Sequence, residues 1–176
     1  MAETPYRIAT LCYLFDDRGR LLLIHRRKHP NRDLYSPIGG KLDTVSGESP
    51  QQCALREIRE ETGLVLSEGD LHLVGLVSET AYQNETHWLM FLYEVTTLHS
   101  LAERDINEGR LAWVTREELV ELPMPETDRE VIWPLFWAHR GGFFAAHIDC
   151  RGGAMRWTLD RSLRAEGGVG ADSCDC

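Results

Sequence analysis

Hydrophobic positions fall into short runs with two periods. Tyr6 to Phe15 is rich in β-branched, aromatic and leucine residues and ends at Asp16-Asp17-Arg18-Gly19, a turn sequence ahead of Leu21 to Ile24. The chain is therefore expected to open with a strand pair. Further strands are expected over Leu71 to Val77, Trp88 to Val95 and Leu111 to Val114. Phe143 to Ile148 and Met155 to Leu159, around Arg151-Gly152-Gly153, read as a closing hairpin. Between residues 26 and 38 no period holds: Arg26, Arg27, Lys28 and Arg32 share the stretch with two prolines, which suits an exposed loop.

Three helices have start signals. Ser49, Pro50 and Gln52 supply an N-cap, a proline for the first turn and a capping-box partner, while Gly63 can end the helix, so it is expected from about Pro50 to Thr62. Thr115 with Glu118 forms a second capping box. Asp128 can cap the run Arg129 to His139, which Pro134 should kink or end early. Strands interleaved with helices, with no internal repeat and no linker, point to an α+β sandwich around a mixed β-sheet with a C-terminal β-hairpin. A single domain over residues 1–165 followed by a flexible Gly-rich tail, 166–176, is the expected organisation.

Composition narrows the partners. In 176 residues, 19 Lys and Arg against 28 Asp and Glu leave a net charge of −9, which argues against a DNA duplex or a basic membrane surface as partner. No apolar stretch approaches the roughly 20 residues of a spanning helix, and Met1 to Arg7 does not resemble a secretory leader. Cys12, Cys53 and Cys150 sit in segments of regular structure, and Cys174 and Cys176 in the tail, so the default expectation is a reducing cytoplasm. A monomer and a homodimer are both compatible with these features.

The helix from Pro50 carries the chemistry. At about 100° per residue, Glu57, Glu60 and Glu61 share one face, with Leu55 and Ile58 turned to one side towards a core. Like charges at these spacings repel, and carboxylates near a helix C-terminus oppose its dipole. Something positive should offset them. Hard cations such as Mg²⁺ or Mn²⁺ prefer carboxylate oxygens, and a phosphate substrate can complete their coordination.

Arg56-Glu57-Ile58-Arg59-Glu60-Glu61-Thr62-Gly63-Leu64 resembles the second half of the Nudix box, R-E-U-x-E-E-x-G-U with U aliphatic, at every fixed position. Glu48 lies at the box's spacing ahead of Arg56, whereas the loop between Gly40 and Glu48 is two residues longer than the family pattern. The resemblance implies a Nudix-type αβα sandwich over most of residues 6 to 163. It also implies hydrolysis of a nucleoside diphosphate linked to another group, with Mg²⁺ or Mn²⁺. By that resemblance Glu57, Glu60 and Glu61 are metal ligands, Glu57 alternatively the base, and Arg56 orients them. Gly39 or Gly40 would offer a carbonyl to the metal. MutT-type members have a further glutamate before a late strand; Glu108 occupies that context, with Glu103 and Asp105 as neighbouring competitors.

Substrate candidates are less sharply marked. Arg26 and Arg27 can hold phosphates through guanidinium forks, and Lys41 follows the glycine pair. Met124 to Asp128, Trp133-Pro134-Leu135 and Gly142-Phe143-Phe144 resemble the branch that hydrolyses oxidised purine nucleoside triphosphates, which makes Glu126 or Asp128 candidate readers of a base, with helix capping as the competing role of these acids. Trp88, Tyr82 and Trp113 are candidates to stack on it, or core. The expected substrate is a modified nucleoside triphosphate such as 8-oxo-dGTP. The alternatives are a nucleotide sugar, ADP-ribose, a dinucleoside polyphosphate or an RNA 5′ end, and, in another class, a non-catalytic nucleotide-binding regulator.

Overall fold

In a computed structural model of the chain, which describes residues 5–29 and 31–165, alternation along the first strand divides the core in two. Strand β1 (Tyr6–Phe15) sends Cys12 and Leu14 to one face and Tyr13 and Phe15 to the other. The first face packs on helix α1 (Pro50–Thr62) through Ala54 and Ile58. The second packs on the helical run ending in α3 (Trp133–His139) through Trp133, Leu135 and Phe136. Period-two burial thus produces a sheet clad by helices on both sides, the αβα sandwich.

Strand order in the sheet is β3 (Tyr35–Pro37), β2 (Leu21–Arg26), β1, β5 (Thr86–Leu98), β4 (Leu71–Tyr82), β7 (Phe143–Asp149) and β8 (Arg156–Leu163), with β6 (Gly109–Val114) pairing with β2 off this path. The sheet is mixed: β1 runs parallel to β5, which is antiparallel to β4, itself parallel to β7. β8 completes the expected hairpin with β7. Polar residues had hidden the full length of several strands: β4 continues through Ser78, Glu79 and Thr80 well beyond Val77.

β1 and β2 leave their turn together and then part, since their only register pair is Phe15 with Leu21. Residues 38–42 fill the opening. The Thr10 amide donates to the Gly40 carbonyl at 2.8 Å, the Cys12 amide to Ile38 at 2.7 Å, and the Leu42 amide to Ile8 at 3.1 Å. This close approach explains the glycine pair. Gly39 has φ 143°, and a Cβ there would stand 2.1 Å from the Thr10 carbonyl oxygen. A Cβ on Gly40 would stand 2.3 Å from Glu57 Oε1.

Two expectations need correction. Residues 26–38 are not all loop: β3 (Tyr35–Pro37) folds back on β2, with His25 stacked on Tyr35, and left-handed Asn31 and Asp33 make the turn. Asp128 is not a cap either. Thr127 already has helical dihedrals, and Asp128–Ile132 form a wide π-helical turn whose start bears no side-chain cap. Its widened hydrogen bonding absorbs Pro134, which lacks an N–H; the proline sits in the first turn of α3 without ending the run. The expected capping box of α2 (Arg116–Leu119) is present. Cys12 and Cys53 are buried free thiols and Cys150 is half-buried; Cys174, Cys176 and the expected tail lie outside the described residues. No described helix is long and apolar enough to cross a membrane.

Gly39→Ala combines an unfavourable φ with a backbone collision, so it should destabilise the chain by about 2 kcal/mol or more. Urea unfolding checks this; wild-type stability would overturn the account of residues 38–42 as a tightly inserted segment.

Candidate active site

Helix α1 starts as its sequence requires. Ser49 accepts from the Gln52 amide at 3.2 Å, the Gln52 side chain accepts from the Ser49 amide at 3.0 Å, and Gly63 closes the helix at φ 82°. With the ends fixed, the acidic face is fixed too. Glu57, Glu60 and Glu61 line one side of a cavity of about 600 Å³, together with Gly39, Gly40 and Lys41. Glu108, in the loop before β6, lines the same cavity, as do Arg26 and Asp128.

Arg56 binds this face together. Its Nε and Nη2 fork onto Glu48 at 2.7 and 3.0 Å, its Nη1 reaches Glu57 at 2.7 Å and Glu60 at 3.3 Å, and Nη2 also donates to the Lys41 carbonyl at 3.1 Å. The fork holds the Glu48 carboxyl down at about 2. The longer loop does not displace Glu48. Asp43 accepts from the amides of Val45 and Ser46 at 3.1 and 3.3 Å, and the Glu48 amide donates to the Asp43 carbonyl at 3.1 Å, so the extra residues close on themselves and protrude.

Burial raises the remaining carboxyls. Glu61 is pushed up to about 8, chiefly by desolvation and further by Glu57 and Glu108, against one hydrogen bond from the Gly39 amide at 3.0 Å. Burial raises Glu57 as well, against the pull of Arg56. Among the described residues no three Asp, Glu, His or Cys side chains converge tightly enough to ligate one ion as they stand. Glu57 is turned to Arg56 and Glu61 to the Gly39 amide. The donor set still fits a hard divalent cation: four carboxylates face one cavity, and desolvated, mutually repelling oxygens gain most from a positive charge among them. Short side-chain rotations would release them.

The other candidates divide. Arg26 lines the cavity and pairs with Glu108 at 3.6 Å, and Lys28 reaches Glu108 at 3.5 Å. Arg27 is not among the lining residues; it is exposed and paired with Asp105 at 2.7 Å. Lys41 Nζ stands 5.9 Å from the Trp88 ring centroid, and burial lowers its pKa. Asp128 opens onto the cavity, whereas Glu126 is exposed and outside it. Tyr82 and Trp88 line it, but Trp113 belongs to the core on the α1 side, its Nε1 donating to the Leu101 carbonyl at 2.8 Å. Sequence reasoning missed Glu79, a buried cavity-lining carboxyl pushed up to about 7 by burial. The available signal was Val77-Ser78-Glu79-Thr80-Ala81, whose alternation puts Glu79 on the same face as Val77.

Comparison with known proteins agrees with this geometry. The NUDIX domain model matches residues 5–133. The Nudix hydrolase YvcI of Bacillus subtilis is 29% identical over 124 residues, 70% of this chain and 75% of that one. A candidate 8-oxo-dGTP diphosphatase of the same organism is 28% identical over 126 residues, covering 72% of this chain and 78% of its own. The crystal structure of a MutT protein from Bacillus halodurans superposes with a TM-score of 0.69 at 24% identity, over 88% of this chain and 97% of that one. A domain match spanning most of the chain, over a glutamate helix that lines the cavity beside the glycine pair, means that the chain belongs to the Nudix hydrolase family.

Proposed function

We propose that this Nudix hydrolase cleaves a pyrophosphate bond in a modified purine nucleoside triphosphate, 8-oxo-dGTP being the first candidate. The observation that carries the reading is a single cavity lined both by Glu57, Glu60, Glu61 and Glu108 and by Trp88, Tyr82 and Asp128. Acidic oxygens suit cation-bridged phosphates, and aromatic and carboxyl groups suit a base. The similar Bacillus subtilis protein named for 8-oxo-dGTP is consistent with this choice.

In this reading Glu57, Glu60, Glu61 and Glu108, with a carbonyl of Gly39 or Gly40, hold Mg²⁺ or Mn²⁺. The Gly40 carbonyl already accepts from Thr10, so Gly39 has the less committed oxygen. A cation held by these residues would supply charge to neutralise phosphate oxygens and would lower the pKa of water. As the alternative to ligation, Glu57, raised by burial, is suited to take a proton from the attacking water. Arg56 holds Glu57 and Glu60 in orientation while Glu48 anchors Arg56. Arg26 and Lys41 supply positive charge to the phosphates from the cavity wall. Residues 1–165 act as one domain.

A phosphate and pyrophosphate release screen, with Mg²⁺ and separately Mn²⁺, should show metal-dependent turnover of oxidised purine nucleoside triphosphates above nucleotide sugars, ADP-ribose, dinucleoside polyphosphates and RNA 5′ ends. Glu61→Gln should lower kcat at least about a hundredfold while circular dichroism stays unchanged. Full activity of that folded variant would sink the assignment.

The fold itself should also respond to pH. Burial pushes Asp128 from 3.8 up to about 8. Between those values the folded chain binds more protons than the unfolded chain, so this contribution is fully present at low pH and is lost as pH rises towards 8. Asp128→Asn should therefore flatten the decline in the urea midpoint of metal-free protein between about pH 5 and 8. Superimposable profiles for wild type and variant would refute the assignment of a half-buried, proton-holding Asp128.

A further inference from the structure

Helix α1 ends in carbonyls that its own turns leave without N–H partners, and these are met from outside the helix. Arg104, in the loop between β5 and β6, donates from Nη2 to the Thr62 carbonyl at 2.8 Å and, more distantly, to the Glu61 carbonyl at 3.5 Å. A guanidinium at this pole offsets the helix dipole at the turn that carries Glu60 and Glu61. The backbone of Arg104 belongs to the turn that carries Glu108. Its carbonyl accepts from the Leu111 amide at 2.9 Å, and Ile106 and Gly109 exchange amide hydrogen bonds at 2.8 and 3.3 Å across Asn107 and Glu108. The Arg27 amide donates to the Glu108 carbonyl at 2.9 Å and Lys28 Nζ to Asn107 Oδ1 at 2.9 Å, so this turn lies against the end of β2. A Cβ on Gly109 would collide with the His25 carbonyl, so the approach requires glycine there. Of the three acids in the loop, Glu103 accepts from the Trp113 amide at 3.2 Å and Asp105 from Arg27 at 2.7 Å, while Glu108 lines the cavity.

We infer that Arg104 is a positioning residue: its side chain holds the last turn of α1 and its backbone holds the Glu108 turn, so it fixes Glu108 relative to Glu61 and sets how tightly the chain binds a divalent cation. The inference rests on the metal-dependent reading above and adds the residue that ties together ligands drawn from separate elements. Glu57, Glu60 and Glu61 share one helix and keep their spacing unaided. Glu108 has no such guarantee. Its ion pairs, with Arg26 at 3.6 Å and Lys28 at 3.5 Å, place it relative to β2, whereas Arg104 places it relative to the helix. Glu61 feels the charge of Glu108, and without a tie that repulsion favours a loop drawn back from the helix. Carboxylates on untied elements lose conformational freedom when they close on an ion, and a preformed tie removes that cost. The two N–H donors of one Nη2 can serve successive helix carbonyls, which suits a guanidinium to this place. Arg104 does not line the cavity, so it acts through Glu108 and Glu61 rather than on substrate.

The test is Mn²⁺ binding to the substrate-free full chain, followed by the electron paramagnetic resonance signal of free Mn²⁺, for wild type, Arg104→Met, Arg104→Lys, Glu108→Gln and the double variant of Arg104→Met with Glu108→Gln. Arg104→Met should weaken binding about tenfold, and Arg104→Lys, which keeps the charge but not the fork, should recover part of that loss. Glu108→Gln should weaken binding as well. In that background Arg104→Met should weaken it by no more than about a further twofold, because the carboxylate it positions is gone. The Mg²⁺ concentration for half-maximal turnover should rise in step with the Mn²⁺ dissociation constant. A residue that merely caps the helix behaves differently: Arg104→Met would lower the urea midpoint with Mn²⁺ affinity unchanged, or its loss and that of Glu108→Gln would multiply in the double variant. Either result, or unchanged binding in Glu108→Gln, overturns the inference and leaves the hydrolase reading intact. If circular dichroism shows Arg104→Met unfolded, the shorter, uncharged Arg104→Gln takes its place in the same cycle. Non-multiplying losses of Mn²⁺ affinity in a chain that turns over no nucleotide support the positioning role and sink the hydrolase reading instead.

Discussion

The Arg56 guanidinium divides its donors among Glu48, Glu57, Glu60 and the Lys41 carbonyl, and the cavity depends on that division. Without a cation among them, the carboxylates of α1 would repel one another across one helix face while opposing its dipole. Arg56 is the fixed counter-charge that allows the face to fold before any ligand arrives. A planar fork suits the task better than an ammonium group, since it engages Glu48 at two points and still reaches two further glutamates. The same fork explains why a loop with two extra residues is tolerated. Its far end is tied at Glu48, its near end at the Lys41 carbonyl, and Asp43 turns the excess outward.

A second constraint is backbone rather than charge. Parting β1 from β2 opens the sheet, and residues 38–42 enter the gap at a distance only glycine permits at position 39. Gly40 in turn leaves room for the Glu57 carboxyl. Helix, strand and carboxylates are thereby brought to one rim, while β4, β5 and the π-helical turn form the opposite wall. The cavity acquires polarity from topology: its acidic end derives from one helix and one loop, its aromatic and carboxyl end from the sheet face.

Much of this was legible in the sequence because it was local. The capping box at Ser49, the stop at Gly63 and the phase of Glu57, Glu60 and Glu61 are set within thirteen helical residues, and the helix formed over Pro50–Thr62 as its signals require. Features decided by distant partners were harder to read. Tyr35–Pro37 is too short to show a period and becomes a strand only because β2 lies beside it. Asp128 has the sequence context of a cap, but the helical run begins earlier and turns its carboxyl into the cavity. Arg27 and Trp113 carry suitable chemistry, yet Asp105 draws one outward and the α1-side core encloses the other. Glu79 was signalled only by its alternation with Val77, which is easily passed over because a glutamate in a strand ordinarily faces water.

The cavity's two ends place opposite demands on the same residue type. At the helix end, carboxylates are crowded so that an arriving cation relieves them, and Arg56 keeps the crowding tolerable meanwhile. At the sheet end, Glu79 and Asp128 face no arginine, and burial keeps protons on them at pH values where exposed carboxyls are ionised. The helix set is itself divided: Arg56 holds Glu48 down, whereas burial pushes Glu61 up to about 8. Sequence composition counts both as acid. Their difference arises from the fold, which places a guanidinium against Glu48, Glu57 and Glu60 and leaves Glu61, Glu79 and Asp128 to desolvation.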